Sequence, residues 1–117
     1  MLIRLCSAAL VAAFVLAHGP AHAAAIMTLN NRVTKDLTHA DCMKRARSAI
    51  SRAGLQYYDT TDEAVWGMAN GRRDMVAVYC LTTADVVVFA AASPTGQGKV
   101  TEPLVNRVID AWEALSR

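Results

Sequence analysis

The chain has 117 residues, 54% of them apolar and 19% charged, with a formal net charge of +2. That length holds one domain and leaves no room for a second. The near-neutral balance lacks the strongly basic face of a nucleic-acid-binding protein. Beyond the first two dozen residues no run reaches the roughly 18 apolar residues that a membrane span needs.

The N-terminus reads as an address. Arg4 supplies a positive start, Leu5 to Ala17 form an apolar run, and His18, Gly19 and Pro20 break it. Ala21-His22-Ala23 then fits the small-x-small pattern of a signal-peptidase site. The expected signal peptide is residues 1–23, and the expected destination is a bacterial periplasm or the medium outside. Cys6 leaves with that segment, so the mature chain keeps Cys42 and Cys80, 38 positions apart. In an oxidising compartment an isolated pair forms a disulfide. A redox or metal-binding pair is the alternative, but C-x-x-C spacing is missing.

Residues 24–37 mix apolar Ile26, Met27 and Leu29 with polar Asn30, Asn31 and Arg32, and read as an arm or a short edge strand. The remainder, 38–117, reads as a single α+β domain. Thr38-x-x-Asp41 opens a helix in the manner of a capping box. Cys42, Ala46, Ala49, Ile50 and Ala53 then recur at helical spacing, and Gly54 stops the helix. Lys44, Arg45, Arg47 and Arg52 read as its solvated surface.

Strands are expected at Leu55–Asp59, Ala64–Ala69, Asp74–Leu81 and Val86–Ala92. Asn70-Gly71 signals a two-residue hairpin turn, which pairs Ala69 with Arg72 and Trp66 with Met75. Ser93 to Thr101, with Pro94 and the Gly96-Gln97-Gly98 triplet, reads as an exposed loop. Thr101 should cap a last helix, with Pro103 in its first turn and a face of Leu104, Val105, Val108, Ile109, Trp112 and Leu115. The expected fold is a four-stranded antiparallel meander with two helices, α–β–β–β–β–α, with room for a short leading strand.

Side chains alternate faces along a strand. If Cys80 reaches a helix, then Val65, Val76, Val78, Val87, Phe89 and Ala91 share its face. The other face carries Trp66, Met68, Met75, Ala77, Tyr79, Leu81, Val86 and Val88. It too is apolar, although an antiparallel sheet with one solvated face should be polar there. Its cover is a second copy in a homodimer, a partner protein, the N-terminal arm or a helix; an apolar ligand pocket is the other use. Trp66, Met68, Met75, Tyr79 and Val88 are the candidate contact residues.

Parts for chemistry are scarce. His39 is the one histidine of the mature chain, so a two-histidine metal site cannot be built within one protomer; a serine triad would need it, but it reads as a solvated residue in the first turn of a helix, and no serine sits in a nucleophile-elbow pattern. The Gly96-Gln97-Gly98 triplet lacks phosphate-loop spacing. Asp59-Thr60-Thr61-Asp62-Glu63 concentrates oxygen donors, and hard cations such as Ca²⁺ or lanthanides select such sets. Asp59, Asp62 and Glu63 are therefore candidate metal ligands, completed across a dimer because one protomer offers too few. The alternative is a solvated polar corner. No other cofactor is expected.

Cys42 opening a helix, Gly54 ending it, Val65-Trp66-Gly67, Cys80 and the Val86–Ala92 run together resemble a class of small exported bacterial α/β domains with one helix-to-strand disulfide. The likeness spans Cys42 to Leu115, and what it implies is the fold. Size, export and the acidic corner are also similar to those of periplasmic accessory proteins that handle lanthanides. The expectation is a non-enzymatic binding or accessory protein acting through its apolar sheet face, with hard-cation carriage as the alternative.

Overall fold

The computed structural model describes residues 26–71, 73–94 and 98–116. The expected signal peptide lies outside them. The elements run β1 (Ile26–Val33), α1 (His39–Arg52), β2 (Gln56–Thr60), β3 (Ala64–Ala69), β4 (Asp74–Leu81), a 3-10 turn (Thr82–Ala84), β5 (Val86–Ser93) and α2 (Gly98–Ala114). The class is α+β, with two helices on one antiparallel sheet. The leading segment is a full strand, so the sheet has five strands, in the order β1-β5-β4-β3-β2. β1 pairs with β5 at one edge, and α1 then carries the chain to β2 at the other.

Helix α1 begins and ends where local chemistry dictates. Thr38 is its N-cap, and the hydroxyl accepts the Asp41 N–H at 3.1 Å. At the C-terminus Gly54 takes φ +74°. The Gly54 N–H donates to the Ser51 carbonyl and the Leu55 N–H to the Ile50 carbonyl, the double closure that a left-handed residue permits.

Both helices cover one face of the sheet. Cys42, Ala46, Ala49 and Ile50 of α1 and Leu104, Val105, Val108, Ile109 and Trp112 of α2 meet Val65, Val76, Val78, Val87, Phe89 and Ala91. Phe89 and Trp112 make an edge contact with centroids 5.7 Å apart. The Cys42–Cys80 disulfide ties α1 to the central strand, with Cα atoms 6.0 Å apart. Small side chains bring α1 close, and at β3 even a methyl is too large: a Cβ on Gly67 would lie 2.7 Å from Ile50 Cγ2.

Two local expectations are corrected. Asn70 and Gly71 do take positive φ, 54° and 67°. The hairpin nevertheless closes at Ala69↔Asp74, with Trp66 opposite Ala77, two residues out of the expected register. A two-residue turn would have set Arg72 opposite Ala69 on the helix-covered face, where a guanidinium loses its water. The shorter Asp74 stands there instead and accepts from Asn70 Nδ2 at 2.7 Å. A shift of two leaves every side chain on its expected face.

The last helix begins at Gly98, one turn before Thr101. Val100 packs against the core, so the apolar stripe starts earlier than the capping signal. Thr101 points inward, fully buried, and its hydroxyl bonds that of Thr28 on β1 at 2.6 Å. Pro103 falls in the second turn, where it forgoes one helical hydrogen bond.

Candidate functional site

Register assigns each strand residue to a face. The chain of partners Trp66↔Ala77↔Ala90↔Leu29 crosses the sheet from β3 to β1 as one row. A second row is Met68, Met75, Ala92 and Met27, and a third is Ala64, Tyr79, Val88 and Asn31. Leu81, Val86 and Val33 continue the face at its far end. The helix-covered core draws on the alternate residues of these strands, and among the described residues no element lies over these rows. The arm that could have covered them is the edge strand β1, and both helices are on the opposite side.

The five expected contact residues, Trp66, Met68, Met75, Tyr79 and Val88, share this open face. Met68 is buried among its neighbours and the other four are half-buried. Trp66 and Tyr79 meet edge to face, centroids 5.7 Å apart. The sequence reading missed the contribution of β1. Met27, Leu29 and Val33 are 63%, 62% and 68% exposed, the most open large apolar side chains among the described residues. Their alternation was the available signal, but an unpaired arm carries no face until its partner is known.

The face has relief. Trp66, Tyr79 and Met75 stand on one side of a trough of about 190 Å³ and Met27 and Leu29 on the other, with Ala77, Ala90 and Ala92 between. Among the described strand residues that register assigns to this face, the one charged side chain is Asp59, opposite Trp66 on the outer strand β2. The basic residues lie elsewhere. Arg32 pairs with Glu113 of α2 at 2.8 Å. Arg45 lies 4.2 Å over the Trp112 ring and donates twice to the Trp112 carbonyl, at 2.6 and 3.1 Å. Burial lowers the Arg45 pKa, and the Glu113 carboxylate opposes that shift. Arg47 covers the Tyr57 ring and donates to Thr60 Oγ1 at 3.1 Å. Arg45 and Arg47 are thus engaged in packing rather than purely solvated.

The acidic corner is held together by its backbone. The Asp62 carbonyl lies 2.7 Å from His39 Nε2, and the Glu63 carbonyl accepts the Cys80 N–H at 2.7 Å. The Asp59 carboxylate accepts the Thr60 N–H at 2.8 Å. Asp59, Asp62 and Glu63 are not gathered as a ligand set: among the described residues no three His, Cys, Asp or Glu side chains form a group that could hold a metal ion. His39, exposed at the start of α1, ties the helix to this corner and lies 3.4 Å from Thr82 Oγ1. Among the described residues no helix is long and apolar enough to cross a membrane. No protein-family model, curated protein or solved structure matches the chain.

Proposed function

We propose that this chain is a small, exported, non-enzymatic binding protein whose working surface is the open face of its sheet, and that the surface takes an apolar protein partner. The observation carrying this reading is the composition of the face. It is apolar from β1 to β3 except at Asn31, and it lies opposite the two helices that complete the core. Monomeric proteins rarely leave so large an apolar patch open unless it has a use. The disulfide supports export, because such bonds persist in oxidising compartments.

Photo-crosslinking tests this reading. The full chain is exported from a bacterial host with a photoreactive phenylalanine analogue at Ala90, at the centre of the face, or at Lys44, exposed on α1. Covalent adducts should form from position 90 and not from position 44. Adducts absent from both, or equal from both, would overturn the proposal.

A further inference from the structure

We infer that the occupant of the open face is a second copy of this chain, docked sheet to sheet about a two-fold axis that runs along β4. The inference rests on the reading above and names its partner. β4 is the middle strand of five. Rotation about it lays β3 of one copy over β5 of the other, and each transverse row over itself.

The residues on those two strands are complementary in volume. Trp66 comes over Ala90 of the second copy, Met68 over Ala92, and Ala64 over Val88, large against small at each of these off-axis contacts, while Met75 and Tyr79 of β4 meet their own counterparts on the axis. The small side chains of β5 belong to the floor of the trough, so Trp66 of one copy fills it on the other. An isologous contact makes each such fit twice. Aligned sheets stack about 10 Å apart with interdigitating side chains, and this pairing lets Trp66 interdigitate.

Charge agrees. Asp59, the one charged side chain assigned to the face, sits on β2 at the edge. The rotation sends it over β1 of the second copy, far from the other Asp59, so two like-charged chains meet without opposed carboxylates. Area agrees as well. Five strands about 4.8 Å apart, with five to eight residues rising about 3.4 Å each, present a face of roughly 550 Å². Two such faces bury roughly 1,100 Å², just above the roughly 1,000 Å² that a specific interface needs. A dimer that dissociates on dilution is the expected form.

The test is a volume swap. The full chain is exported, purified with its disulfide intact, and followed by sedimentation equilibrium from low micromolar to several hundred micromolar. Wild type should associate to a dimer and no further. Trp66→Ala and Ala90→Trp should each raise the dissociation constant at least tenfold, the first by emptying the trough and the second by setting two indoles against each other. Combining them restores large against small, and the double variant should return to within about threefold of wild type. If Ala90→Trp does not fold, Ala90→Lys replaces it and should give a folded monomer.

A wild type that stays monomeric throughout the range overturns the inference. So does a dimer indifferent to both single changes, or a double variant no better than the worse single one. The crosslinking above separates the two proposals. An adduct at position 90 with a mass other than twice the chain keeps the binding face and rejects the second copy; no adduct rejects both.

Discussion

Gly67 and Arg45 show how much of the packing rests on single side chains. At Gly67 the strand offers α1 a gap with no Cβ, and Ile50, buried at 1% exposure, fills it. Because Ile50 is enclosed, it cannot swing away from an added methyl. Gly67→Ala should therefore destabilise the fold by about 1–3 kcal/mol, the range for overpacking a filled core. Urea unfolding gives the value, and no loss would mean that α1 shifts freely on the sheet. Arg45 does two things at once: its plane lies on the Trp112 ring and its fork caps the carbonyl of that residue near the end of α2. Arg45→Ala should cost about 1–3 kcal/mol, the sum of a partly desolvated cation–π contact and a charged hydrogen bond. Arg45→Lys should recover less than half, since an ammonium has no fork to span the same acceptor. Equal behaviour of the lysine variant would show that charge alone matters there.

Helix α1 is the element most fully specified by its own residues. Its cap, its stripe and its stop are all local, which is why the sequence locates it within one residue at each end. Thr38→Ala should cost about 1 kcal/mol through loss of the hydroxyl cap on Asp41. Gly54→Ala should cost roughly 1–2 kcal/mol, although no atom lies within 4 Å of an added Cβ, because an L-residue resists φ +74°. Thermal unfolding of the two variants and their combination should give additive shifts, as the sites share no partner. Elements fixed by distant contacts were harder to read. β1 became a strand only through pairing with β5, some sixty residues on, and the roles of Arg45 and Arg47 depend on acceptors in other elements. The hairpin register depended on which residue the helix-covered face would accept opposite Ala69. The two faces of β3, β4 and β5, by contrast, were legible, because alternation survives any even shift of register. The candidate ligands Asp59, Asp62 and Glu63 are neighbours in sequence, but the connection presents their backbone to His39 and Cys80 and leaves the carboxylates ungathered.

At the scale of the molecule, one sheet face meets both helices and holds the main core cluster, while the other buries only Ala64, Met68 and Ala77 among the described residues. A two-layer domain of this kind keeps only the burial between helices and sheet, so covalent closure carries a large share of its stability. The disulfide closes a loop of 38 positions that contains most of α1, all of β2 and β3, and nearly all of the central strand. Chain entropy assigns such a closure about 3–4 kcal/mol, a sizeable part of the 5–15 kcal/mol typical of a whole domain. Replacing both cysteines, Cys42→Ala with Cys80→Ala, should lower the free energy of unfolding by about that amount, read from urea curves at equal slope. The same chain made without its first 23 residues in a reducing cytosol should accumulate poorly, and export should restore its yield. Equal yield and equal stability in both compartments would mean that the helix–sheet core suffices alone, and the disulfide would then lend no support to export.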